Sequence, residues 1–305
     1  MVCCRSVASY IDKTPPISRL NPDSTFTSQW LELERGNIRY VRRGDSHAKD
    51  TVILMPDPPN TIEHMEELIK ILEPTFQVIA FEGLGFGYST AFLSHDFSLE
   101  HCADVIADLL EKLEVNRAIL ALTCIAALPG LMVAKKHPEI VTGLVLGQVP
   151  SLSEAKKWAQ RVDFKGVLGT PFVGQILLKI MKNSVSDIWY KNALARDVDR
   201  KPYVEKTQSS FRRGARFSLA SALQSFQKDT TCSSELIAEQ NAIVLWGSLD
   251  RGHKKTNKHS ILNLLPNGKV IELEHCAHFP DIEVPKEFAK AIFDIAEAGP
   301  PNKAL

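Results

Sequence analysis

Three residues far apart in the chain, Cys124, Asp250 and His278, have the side chains and the local settings for nucleophilic catalysis. Residues 115–123 form an apolar run of strand length. Small residues follow it, and beyond them Leu131, Met132, Val133 and Ala134 are spaced for a helix. A residue at such a strand–turn–helix joint sits on a strained bend above the sheet edge, and its side chain faces the space where a substrate meets the helix N-terminus. Cys124 occupies that bend. Asp250 closes the apolar run 242–250, and His278 follows the strand-like run 270–273. A nucleophile, a base within reach of it and an acid to orient the base suffice for acyl transfer. A free thiol ionises near pH ~8.5, lowered by a neighbouring histidine or a helix N-terminus, so the thiolate at Cys124 can be preformed.

The elements that position these residues alternate. Residues 31–41 alternate as two strands about Arg35-Gly36-Asn37 and predict a hairpin. Residues 51–55 are nearly all apolar, suit a central parallel strand, and break at Pro56-Asp57-Pro58-Pro59-Asn60. A helix with Met65, Leu68, Ile69 and Leu72 on one face comes next, then a strand over 76–81 and an amphipathic helix over 99–113. Strands and helices in alternation mean a parallel sheet covered on both faces. From 151 to 227 only helical periodicities occur, around Ile176, Leu177, Ile180 and Met181 and around Phe217, Leu219, Ala222, Leu223 and Phe226. We therefore expect a core of 28–150 and 228–298, a helical cap over 151–227, an extended leader over 1–27 and a tail over 299–305.

Composition narrows the partners. The chain has 305 residues, 44% of them hydrophobic, enough for one large core. Lys+Arg 36 balances Asp+Glu 36, which argues against nucleic acid or an anionic membrane surface and for a small-molecule substrate. The oligomeric state is left open. The six cysteines are scattered, with no metal-ligand doublet apart from Cys3-Cys4, and fit reduced thiols in the cytoplasm, with no metal or cofactor expected. The N-terminus has no apolar core of a signal peptide, no apolar run reaches spanning length, and Val2 stands where N-myristoylation needs glycine. The thiols of Cys3 and Cys4 are open to acylation.

Several of these segments resemble the cap-bearing branch of the α/β-hydrolase superfamily. The helix after Cys124 runs into His137-Pro138-Glu139, similar to the family's corner after its nucleophile elbow. Counting back from that corner, the family's serine falls on Cys124, while its flanking glycines fall on Leu122 and Ala126. Glu82-Gly83-Leu84-Gly85-Phe86-Gly87-Tyr88-Ser89 resembles the Asp-x-x-Gly-x-Gly-x-Ser turn, with Glu82 in the Asp position. Trp246-Gly247-Ser248-Leu249-Asp250 resembles Gly-x-x-Asp, and Ala277-His278-Phe279-Pro280 resembles Gly-His-Phe-Pro. The resemblance implies a mostly parallel central sheet with helices on both faces and a helical cap insertion. It also implies a triad in the order nucleophile, acid, histidine. Dienelactone hydrolases and polyhydroxyalkanoate synthases are similar in using cysteine on this fold.

The resemblance places the oxyanion donors on the amide of Ile125 and on the position held by Pro58. Proline has no N–H to give, and one missing donor costs about 2.7–4 kcal/mol of transition-state stabilisation. Either another donor, such as Asn60 or a cap residue, substitutes, or the site does not stabilise a tetrahedral oxyanion at all. Asp57 either forms an Asx turn between prolines or, protonated by burial, donates as a general acid. Leu122 is expected to crowd the underside of the turn. The leading expectation is a Cys124–His278–Asp250 enzyme acting on an ester, thioester or lactone of an apolar molecule. The alternatives are a lyase, cyclase or isomerase using His278 and Asp57, and a ligand-binding pseudoenzyme.

Overall fold

The computed structural model describes residues 24–300 apart from 164, 182 and 183. Most of the expected leader, the tail beyond 300 and the thiols of Cys3 and Cys4 lie outside the described residues. The hairpin is present as β1 (Gln29–Leu33) and β2 (Gly36–Arg43), paired antiparallel. β3 (Thr51–Met55), α1 (Glu66–Leu72), β4 (Gln77–Phe81), the two-residue β5 (Thr90–Ala91), α2 (Leu99–Lys112), β6 (Ala118–Thr123), α3 (Ala127–Lys136) and β7 (Val141–Gly147) follow in chain order. Five helices come next, α4 (Leu152–Val162), α5 (Val173–Met181), α6 (Ser184–Ala193), α7 (Lys201–Arg212) and α8 (Ala215–Lys228). β8 (Ala242–Gly247), β9 (Gly268–Leu273), the short α9 (Pro280–Glu283) and α10 (Pro285–Ala298) complete the chain.

The strands form one sheet in the order β1-β2-β4-β3-β6-β7-β8-β9, with β5 on the free side of β2. From β4 to β9 every pairing is parallel. The central strands are buried along their whole length because helices cover both faces, so they are apolar at nearly every position rather than at alternate ones. Two large apolar clusters form, one on each face, around Leu120, Leu144 and Leu131 and around Val78, Val145 and Ile292.

The chain runs from β3 outward to β4, then returns to the other side of β3 at β6 and proceeds outward to β9. Strand order thus reverses between β3 and β6, and in open α/β sheets the crevice at the carboxyl ends of such a pair is where ligands bind. Met55 pairs with Leu122 at those ends. Asp57 lies two residues past Met55 and Cys124 two past Leu122, so register alone brings the two loops side by side.

A buried anchor holds the first of these loops. The Glu82 carboxylate accepts from the amides of Tyr88 (2.6 Å) and Ile62 (3.3 Å) and from the Arg39 guanidinium (3.0 Å). It thereby ties the turn after β4 to the segment after β3. Gly87 has φ +50°, and a Cβ there would lie 2.1 Å from the Glu82 carboxyl carbon. The longer acid in the usual aspartate position fits because a glycine faces it.

Candidate active site

Cys124 has φ +52°, left-handed backbone that a non-glycine residue adopts only under constraint. The constraint comes from both sides: β6 ends at Thr123, and α3 begins three residues later with its first amide, that of Ala127, donating to the Cys124 carbonyl. The thiol projects into a buried space, the residue being 5% exposed. Leu122 lies beneath the bend, where the resemblance implies glycine. The expected crowding is relieved from α3, where Gly130 leaves the space that the Leu122 side chain fills.

His278 and Asp250 meet behind the thiol. His278 Nδ1 donates to Asp250 Oδ2 at 2.6 Å, and the His278 amide donates to the carbonyl of Ala193 on α6, which fixes the loop after β9. Asp250 Oδ1 accepts from the amide of Gly252 at 2.7 Å. Gln148, just past β7 and itself at φ +50°, donates to Asp250 Oδ2 at 2.9 Å and accepts from the Gly247 amide at 2.8 Å. Burial would raise the Asp250 carboxyl, but the imidazole beside it prevails and holds it at about 2. Burial would lower His278, and Asp250 reverses that, so the imidazole stays well above its ordinary range.

The second face of the imidazole meets Asp57. Asp57 Oδ2 lies 3.4 Å from His278 Nε2, both side chains are nearly inaccessible, and the Cys124 thiol contacts the same carboxyl. Burial raises the Asp57 carboxyl above its ordinary range despite His278. Burial also pushes the Cys124 thiol up to about 11, with Asp57 adding to the rise. The expectation of a preformed thiolate is therefore corrected: desolvation outweighs the pull of His278, and the resting sulfur carries its proton. The Asp57 side chain faces the thiol and the imidazole, which favours the donor alternative over a mere Asx turn.

Of the expected oxyanion residues, Ile125 directs its amide at Cys124 Sγ, and Pro58 lines the cavity with no N–H to offer. Asn60 is held from the side of α6. Its Oδ1 accepts from the Tyr190 hydroxyl at 2.7 Å, in a cluster with His64 and Thr207, and it is not among the described residues lining the cavity. Its Nδ2 has no hydrogen-bond partner among the described residues.

Four neighbours of the site had no motif to announce them. Gln148 supports Asp250. His253 lies 3% exposed beside Trp158 and His278, its ring stacked 5.1 Å from the indole and 5.4 Å from the His278 imidazole. Trp189 meets His278 edge-on at 6.5 Å, and both indoles line the cavity. That cavity holds about 1330 Å³, its mouth included, between the strand ends and α4, α5, α6 and α8. Apart from Asp57 and the thiols its walls are apolar, built from such residues as Met55, Phe86, Phe97, Leu219 and Phe226. A thiol on a sharp bend, a buried His–Asp pair and an apolar chamber come together at the sheet's switch point.

Comparison with known proteins agrees. The family model for the alpha/beta hydrolase fold matches residues 59–284, and the chain belongs to this family. Haloalkane dehalogenase 2 of Mycobacterium tuberculosis is 22% identical over 299 residues, covering 93% of this chain and 98% of that one. A structure from Klebsiella pneumoniae, provisionally assigned as an epoxide hydrolase, superposes with TM-score 0.75 at 18% identity, covering 89% of this chain and 97% of that chain. Haloalkane dehalogenase DbeA from Bradyrhizobium elkani gives TM-score 0.69 at 14% identity, with 90% and 99% covered. Such low identities speak to the fold. Among the described residues no helix is long and apolar enough to cross a membrane.

Proposed function

We propose that this protein is a cysteine-dependent acyl hydrolase or acyltransferase acting on an ester, thioester or lactone of an apolar small molecule. The observation that carries the reading is Cys124 at φ +52° facing an imidazole whose far nitrogen is held by Asp250 at 2.6 Å. From the form in which the imidazole is neutral, the sulfur attacks the carbonyl carbon as His278 takes the thiol proton, Asp250 stabilises the imidazolium, and His278 returns the proton to the leaving group. Water or an acceptor alcohol, activated by the same imidazole, then cleaves the thioester. The Ile125 amide and a protonated Asp57 carboxyl serve as the donors to the tetrahedral oxygen, Asp57 replacing the N–H that Pro58 lacks. Helices α4–α8 act as the cap, and the apolar chamber beneath them selects the acyl or alcohol portion.

The halide and epoxide chemistries in the names of the relatives do not transfer to a thiol nucleophile. Displacement at an alkyl carbon by sulfur would leave a thioether, which water does not cleave, whereas attack at an acyl carbon leaves a hydrolysable thioester. A second reading rests on the 3.4 Å approach of Asp57 to His278 Nε2. It makes these two an acid–base pair for a lyase, cyclase or isomerase, with Cys124 lining the pocket.

The test is an ester, thioester and lactone panel with mass spectrometry of the quenched enzyme. Under the acyl-transfer reading an acyl adduct appears on Cys124, iodoacetamide modifies Cys124 in preference to other thiols, and Cys124→Ala abolishes turnover. Unchanged turnover in Cys124→Ala removes that mechanism. Activity kept in Cys124→Ser and lost in His278→Ala selects the acid–base reading instead.

A further inference from the structure

His253 is a buried imidazole that the acyl-transfer scheme does not use. It lies three residues past Asp250, and its amide approaches Asp250 Oδ1 at 3.4 Å. Its ring packs beside Trp158 and His278, whose own rings are 6.3 Å apart, and is met edge-on by Trp246. Among the described residues neither ring nitrogen has a hydrogen-bond partner. A buried imidazole left unpaired at both nitrogens costs free energy, which calls for a partner that the protein itself does not supply.

The surroundings supply the rest of a ligand set. Donor atoms of Cys124, His253 and His278 all lie within 4.8 Å of one another, and all three residues are buried. Among the described residues His278 Nε2 makes no hydrogen bond, its nearest carboxylate being Asp57 Oδ2 at 3.4 Å, while Nδ1 is held by Asp250. A carboxylate backing the far nitrogen of a ligating histidine is the arrangement that orients such ligands and raises their basicity. One sulfur and two imidazole nitrogens make a mixed set suited to zinc and similar divalent ions rather than to magnesium or calcium.

We propose that Cys124, His253 and His278 form a binding site for a thiophilic divalent cation of the zinc type, its fourth position left to solvent or a ligand. Tetrahedral zinc, with bonds of about 2.0–2.3 Å, spaces its donors roughly 3.5 Å apart. The donors therefore close by about 1 Å, a change within reach of the Cys124 and His253 side-chain torsions without moving the sheet. Binding displaces the thiol proton and occupies the imidazole nitrogen that faces the cavity, so a bound ion holds both groups out of acyl chemistry. The site rests on coordination geometry and holds whether or not Cys124 forms an acyl enzyme.

The test uses the full-length, reduced, chelator-treated protein and Co²⁺ as the probe. The expected result is one equivalent of Co²⁺ bound, with tetrahedral d–d bands and a sulfur-to-cobalt charge-transfer band. Cys124→Ser abolishes that band, Cys276→Ser keeps it, and His253→Gln weakens binding about tenfold or more. In unmutated protein, Zn²⁺ slows alkylation of Cys124 by iodoacetamide about tenfold or more, read by peptide mass spectrometry, so the outcome does not depend on a variant folding. A charge-transfer band that survives in Cys124→Ser, wild-type affinity in a folded His253→Gln, or alkylation indifferent to Zn²⁺ overturns the site. Failure here leaves the acyl adduct on Cys124 intact as a separate readout.

Discussion

Leu122 and Gly130 are complementary: a methyl group at Gly130 would lie 2.3 Å from Leu122 Cδ1. Leu122 is fully buried beneath the bend that carries Cys124, and α3 passes close because Gly130 presents no side chain. Gly130→Ala is expected to lower stability by about 1–3 kcal/mol, as overpacking does in closed cores. Leu122→Ala in the same chain recovers part of the loss, because the two changes share one space. Denaturant midpoints of the two single variants and the double variant check this. Strict additivity would mean that the two side chains do not compete for that space.

Asp250 accepts His278 Nδ1 at 2.6 Å and is held by Gln148 and the Gly252 amide. Asp250→Asn keeps the volume but presents an amide to the ring and favours the wrong tautomer. Its expected effect is a loss in kcat of roughly ten-thousandfold with KM little changed. A loss below tenfold would show that the imidazole needs no orienting acid here.

Asp57 separates the roles of donor and charge. If it donates to the tetrahedral oxygen, Asp57→Asn keeps an N–H in reach and retains most of kcat. Asp57→Leu, with no donor, loses about a hundred- to a thousandfold. Equal kcat in both variants contradicts the donor role.

Buried histidines make the fold sensitive to acid. Burial pushes His64 down to about 4, aided by Lys206 and opposed by the Tyr203 and Thr61 backbone and by Glu63. The unfolded chain takes up that proton near pH ~6.5. Because the folded value lies below the unfolded one, the stabilisation is complete above about pH 6.5 and is lost as pH falls toward 4. It amounts to ~3 kcal/mol at neutral pH. His95, also pushed down to about 4 by burial, acts in the same window. The difference in stability between wild type and His64→Gln is expected to shrink from pH 7 to pH 4, measured by urea denaturation. A constant difference would place the proton elsewhere.

Much of the architecture was legible in the chain because it depends on local pattern. Apolar runs of strand length at residues 51–55, 118–123 and 242–247, alternating with amphipathic helices, require a parallel sheet, and the sheet's C-terminal edge is where Cys124, Asp250 and His278 had to lie. The family resemblance carried their roles. The protonation of the sulfur was not legible, because it depends on how completely neighbours exclude water. Nor was the turn of Asn60 toward Tyr190, a residue 130 positions away. His253 looked like one more polar residue in a loop.

By itself, then, the order of amino acids determined the fold class and the order of the three candidate residues, since each follows from residue type and near-neighbour spacing; the family resemblance implied the oxyanion position at Pro58. Tertiary structure alone decided that Asp57 faces His278 Nε2, that Gly130 makes room for Leu122, and that His253 stands unpaired beside a thiol. These are contacts between loops of different strands. Their geometry is set by strand register and helix packing over long stretches of chain, which no local spacing encodes.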